Sequence, residues 1–116
     1  MNRILEKFRR PLSSLLHLLF KDRGLQAILL VGGIGILLLQ HYFGPISNDG
    51  NLLLTLAFFL VLITELQNSA LETALDKVHP DRHADIGRSK DIAAASVLCA
   101  AVFSLVCAYY VATGKI

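Results

Sequence analysis

Glu65, Asn68, Ser69, Glu72 and Asp76 follow one another at spacings of three, one, three and four residues, which puts all five on one face of a helix. The stripe directly follows an apolar run, Leu52 to Ile63. A carboxylate in or at the edge of hydrocarbon costs roughly 2.5–3.5 kcal/mol on insertion scales, so three on one stripe need a compensating partner or a chemical task. Proton transfer and the holding of a hard cation are the tasks such oxygens perform. The stripe reads as an active site placed where a water-soluble substrate could meet a lipid.

The elements that must carry this stripe are set by composition. Of 116 residues, 54% are hydrophobic and 17% charged, with a mean hydropathy of +0.58. An ordinary soluble domain is about 45–50% apolar. The net charge of +2 is small, and the basic residues are not interleaved with aromatics, which argues against a nucleic-acid partner. Apolar stretches run from Leu25 to Phe43, from Leu52 through Ile63 into the stripe, and from Ile92 to Thr113. About 20 helical residues cross a bilayer core, so the first and third suffice alone and the second spans by continuing toward Asp76. Unpaired backbone groups are costly in hydrocarbon, so all three should be helices. The expected fold is an all-α membrane protein forming a single domain over 1–116. An N-terminal amphipathic surface helix (1–23) precedes membrane-crossing helices at 25–43, 52–76 and 91–113.

The N-terminal segment could mimic a signal peptide, but its apolar run is short, ends at Lys21-Asp22-Arg23 and lacks a small-residue cleavage pattern. Ile4, Leu5, Phe8, Leu12, Leu15, Leu16 and Leu19 instead follow helical spacing opposite Arg and Lys. Pro11 is expected to break or kink this helix, leaving two short ones. Gly44 to Asn51 reads as a turn-rich hairpin, and Val78 to Ser89, with Pro80 and Gly87, as a polar loop. Arg3, Lys7, Arg9, Arg10, Lys21 and Arg23 precede the first span, and Lys77, Arg82, Arg88 and Lys90 lie between the second and third. The Gly44–Asn51 turn has no cation and only Lys115 follows the third span. By the positive-inside rule the N-terminus and the Lys77–Lys90 segment are cytoplasmic and the C-terminus is outside.

The run Glu65-Leu-Gln-Asn68-Ser69-Ala70-Leu71-Glu72-Thr-Ala-Leu-Asp76, followed by Gly87-Arg88-Ser89-Lys90-Asp91-Ile92-Ala93-Ala94-Ala95, resembles the signature of the small bacterial membrane diacylglycerol kinases. The resemblance is specific between Glu65 and Leu98; elsewhere only length, topology and apolarity agree. It implies a three-pass protein of the bacterial inner membrane with a surface helix, working as a homotrimer. A lone three-span chain has little interior, so some homo-oligomer is expected on physical grounds as well.

The resemblance implies transfer of the γ-phosphate of ATP to the hydroxyl of a membrane lipid, diacylglycerol giving phosphatidic acid, with undecaprenol as the alternative acceptor. Phosphoryl transfer needs a base for the attacking hydroxyl, metal ions on the nucleotide and cations to offset charge. In the family's pattern Glu65 would be the base and, with Asn68, would meet the lipid. Glu72 would hold Mg²⁺, Asn68 and Asp76 would complete the face, and Lys90 and Asp91 would contact the nucleotide. Mg²⁺ keeps several waters, so one or two carboxylates plus ATP oxygens suffice. The family's second metal-binding glutamate stands in a Glu-x-x-Phe-Arg context just before the first span. Here that stretch reads Asp22-Arg23-Gly24-Leu25-Gln26, making Asp22 the candidate second ligand and a nucleotide neighbour. Arg3-Ile4-Leu5 resembles an Arg-Ile-Ile that would give Arg3 a phosphate. Asp81-Arg82-His83 resembles an acid-aromatic-His stretch near the nucleotide, with Arg82 replacing the aromatic.

Plainer readings stand beside these. Glu72 and Asp76 could be solvated charges on a helix end, and the chain a non-enzymatic three-helix membrane subunit. His79, Asp81, His83 and Asp85 alternate as a metal loop would, or form a solvated turn. Gly32, Gly33 and Gly35 suit close helix packing, and His41 and Tyr42 the outer interface. Cys99 and Cys107, about 12 Å apart along a helix, are too far apart for a disulfide and serve as packing residues.

Overall fold

The computed structural model describes residues 2–81 and 83–116; the expectation attached to Arg82 lies outside them. Four helices account for nearly all of the chain: α1 (Asn2–Lys21), α2 (Arg23–Phe43), α3 (Asn48–Val78) and α4 (Ala84–Ala112). The last three are each long and apolar enough to cross a membrane. A helix pairs its interior backbone polar groups along its own length, the condition a bilayer imposes.

Boundaries depart from expectation in three places. α1 runs unbroken through Pro11, where a break or a kink was expected, so the two short helices do not form. The carbonyl that loses its partner belongs to Lys7, on an exposed turn where water can take the place of the missing N–H. α3 begins at Asn48, so Asn48-Asp49-Gly50-Asn51 is its first turn and not part of the loop. Ser47 caps it, accepting from the Gly50 N–H at 3.0 Å. The loop between α3 and α4 shrinks to residues 79–83, and Gly87 lies inside α4. His83 starts that helix by accepting from the Asp85 N–H at 3.2 Å.

α3 and α4 form the main packed pair, α2 lies against both, and α1 touches only α2. Leu54, Ala57, Cys107 and Val111 are buried together at the end near the α2–α3 loop, with Leu39, Ile46 and Leu53 against them. Polar ties fasten the same end. Gln40 Nε2 donates to Asn51 Oδ1 at 2.7 Å, and Asn51 Nδ2 donates to the Ile46 carbonyl at 3.3 Å. Farther along, Ser104 Oγ reaches the Ala57 carbonyl at 3.4 Å as well as its own helix at Ala100. Gly32 lets the Phe58 ring press onto α2, since a Cβ there would stand 2.6 Å from Phe58 Cε1. Gly33 and Gly35 face open space. An apolar groove of about 480 Å³ runs between α2, α3 and α4, walled by Ile28, Val31, Gly35, Phe58, Val61 and Leu105. The molecule measures 49 × 45 × 20 Å, a thin sheet of helices with most large apolar side chains exposed.

Candidate active site at the α1–α2 corner

A single residue, Asp22, joins α1 to α2 and does three things at once. Its backbone N–H continues the turn of α1 by donating to the Leu18 carbonyl at 2.8 Å. Its Oδ1 caps α2 by accepting from the Leu25 N–H at 3.1 Å, satisfying one of the orphan donors of a helix start. Its Oδ2 accepts from Ser69 Oγ, 47 residues away on α3, at 2.5 Å. Gln26 locks the corner from the other side through Nε2 to the Leu19 carbonyl at 3.0 Å, and Leu25 beneath it is fully buried.

Ser69 Oγ also lies 3.3 Å from Glu65 Oε1, one helical turn away, so the carboxylates of Asp22 and Glu65 converge on one hydroxyl. A hydroxyl has one proton to donate; the shorter contact assigns it to Asp22. Gly24 makes the convergence possible. A Cβ there would stand 2.5 Å from Glu65 Oε1 and 3.2 Å from Asp22 Oδ1, so any side chain would push Glu65 from the first turn of α2. Neither Gly24 nor the role of Ser69 as a bridge was foreseen from sequence. Ser69 was visible on the stripe, but a contact spanning 47 residues leaves no mark in local spacing.

Asn68, beside Ser69, has its Oδ1 buried and without a hydrogen-bond partner among the described residues. An orphaned buried acceptor costs about 1–3 kcal/mol, a penalty that a bound donor would remove. Glu72 and Asp76 continue the stripe outward and are exposed. Asp76 pairs with Lys90 of α4, joining the stripe to the second half of the motif. Asp91 follows on α4, and Asp81 and His83 lie in the loop between the two helices; the His79 and His83 rings stand 6.4 Å apart. Arg3 is not brought to the stripe within one chain. It sits near the start of α1 on a shallow surface with Glu6, Lys7 and Arg10.

Among the described residues no three His, Cys, Asp or Glu side chains are clustered closely enough to form a metal cage. The donor set still suits Mg²⁺, which needs only one or two carboxylates when phosphates and waters complete the shell. Asp22 spends one lone pair of each oxygen on Leu25 and Ser69, leaving one on each for a cation. The Glu-x-x-Phe-Arg context can also be laid with Phe20-Lys21 under Phe-Arg, which puts His17 at the glutamate's place. His17 is exposed on α1, a helix that touches only α2, whereas Asp22 reaches the stripe.

Three helices long and apolar enough to cross a membrane, with a carboxylate stripe toward the end of one of them, define the class of small helical membrane proteins. The chain belongs to the prokaryotic diacylglycerol kinase family, whose model matches residues 12–112. It is similar to the diacylglycerol kinases of Escherichia coli K12 and Shigella flexneri, 37% identical over 54 residues. That segment is 47% of this chain and spans 44% of those relatives' length.

Proposed function

We propose that this protein is an ATP-dependent lipid kinase that transfers a phosphoryl group to the hydroxyl of diacylglycerol, giving phosphatidic acid. The position of Glu65 carries the reading. It is a half-buried carboxylate one turn beyond Val61 in the groove wall, pressed against Gly24 at the start of α2. A lipid with its chain along the groove brings its hydroxyl to this carboxylate.

Glu65 takes the proton of that hydroxyl as its oxygen attacks the γ-phosphorus of ATP, the bond from that phosphorus to the β–γ bridging oxygen breaks and ADP leaves. Asn68, whose buried Oδ1 lacks a donor, orients the acceptor. Glu72 and Asp22 would hold Mg²⁺, which supplies charge neutralisation on the transferring phosphate. Lys90 exchanges Asp76 for nucleotide phosphate, while Asp91, Asp81 and His83 flank the nucleotide. Arg3 reaches phosphate only across a subunit boundary, in keeping with a homo-oligomer, three copies on the family's pattern. The site faces the cytoplasm, with the N-terminus inside and the C-terminus outside, because cations crowd the ends that carry it.

Purified protein in nanodiscs, given Mg²⁺-ATP with diacylglycerol or with undecaprenol, tests this directly. Phosphatidic acid formed at least tenfold faster than undecaprenyl phosphate is the expected result. The reverse ratio makes the protein an undecaprenol kinase, and absence of either product removes the enzymatic reading.

A further inference from the structure

α1 has a polar arrangement of which the proposed phosphotransfer site uses Arg3 alone. At about 100° per residue, Ile4, Phe8, Leu12, Leu15 and Leu19 fall on one face and Arg3, Arg10, His17 and Lys21 on the opposite one. Ile4, Phe8 and Leu12 are each more than half exposed, while Leu15 and Leu19 are partly covered, so within one chain the N-terminal part of this face is open. Lys7 and Arg9 belong to neither group. Two residues apart, they stand about 160° from each other, one on each flank of the apolar stripe. The ion pairs among the described residues are His83–Asp85 and Lys90–Asp76, so neither flanking cation has an acidic partner among them. Glu6 is the only acid on α1 against five cations.

We propose that α1 is a docking surface for anionic lipid headgroups, with Lys7 and Arg9 taking their phosphates from opposite flanks of its apolar face. A helix lying in the interface sinks its apolar face to the acyl boundary, which brings the flanking side chains to headgroup depth and leaves the opposite face in water. Their alkyl stems cover apolar surface while the charged ends reach outward. A zwitterionic headgroup carries its own cation beside the phosphate and gains little from this arrangement; an anionic headgroup gains from both flanks. Arg3 and Arg10, on the water side, are too far from the phosphate plane to contribute a specific contact. The surface does not depend on the chain being a kinase.

The full chain in phosphatidylcholine bilayers, probed with trace spin-labelled phosphatidylglycerol or phosphatidylcholine, reports the relative affinity of each lipid for the protein boundary. Phosphatidylglycerol should be favoured at least about twofold. Lys7→Gln with Arg9→Gln should bring the ratio to about unity, and the charge-keeping Lys7→Arg with Arg9→Lys should retain it. Arg3→Gln with Arg10→Gln should leave it within about a fifth of the starting value. An unchanged ratio in the Lys7/Arg9 glutamine variant overturns the proposal. So does an equal loss in the Arg3/Arg10 variant, which makes the effect a diffuse field, or abolition by millimolar ATP or inorganic phosphate, which makes these cations a soluble-anion site.

Discussion

The two ends of the bundle are built on opposite plans. Near the α2–α3 loop, Leu54, Ala57, Cys107 and Val111 are buried, the Ser47 cap is made, and Gln40 and Asn51 cross-link two helices. At the other end Glu72 and Asp76 are exposed, Asn68 Oδ1 has no partner among the described residues, and two carboxylates converge on one hydroxyl that has a single proton to give. One end closes within a single chain; the other is unfinished without ligand or neighbour. Burial in lipid gives no hydrophobic drive between helices, so a small protein closes where packing and polar ties are cheap and spends its polar groups where work is done.

The sharpest way to break this contrast is Glu65→Gln, which keeps shape and removes the proposed base. Lipid kinase turnover should fall by at least about a hundredfold while ATP binding stays within a few-fold. Retained turnover takes Glu65 out of the chemistry. Glu72→Gln should raise the Mg²⁺ concentration needed for half-maximal rate by about tenfold, read from a metal titration; an unshifted titration makes Glu72 a solvated charge.

Asp22→Asn should lower the rate about tenfold, whereas Asp22→Glu should keep activity or raise it. Equal silence of both variants would leave Asp22 as a helix cap alone. Gly24→Ala, which crowds Glu65, should cost the rate several-fold with little change in folding. The smallest effect belongs to the closed end. Val111→Ala should cost about 1 kcal/mol in reversible unfolding and leave activity within twofold, and a larger loss of activity than of stability there would mean the two ends are coupled.

Much of this architecture was legible in the chain. Leu25 to Phe43 located α2 to within two residues, because a run of apolar side chains has few alternatives in a membrane. The stripe was legible because helical periodicity orders Glu65 through Asp76 without reference to anything else. The α2–α3 turn was drawn too long, since Asn48, Asp49 and Gly50 are turn formers by propensity while the Ser47 cap recruits them into a helix. Gly87 was read as a breaker, yet a glycine in a helix costs only about 1 kcal/mol. The pairing of Asp22 with Ser69 depends on how α2 lies on α3, and no local pattern encodes that.

The unequal length of the helices has its own consequence. α3 is ten residues longer than α2, and the last turn of α2 stands level with the first turn of α3 at the Gln40–Asn51 tie. α2 begins beside Glu65, while α3 continues thirteen residues beyond it to Val78, about 20 Å. On the proposed kinase reading the overhang would work as a gauge rod across the phase boundary. Its foot would mark the depth at which an oily acceptor stops and its upper rungs the height at which a soluble donor is held, with the reach between them set by the rise of one helix and not by the motion of a lid.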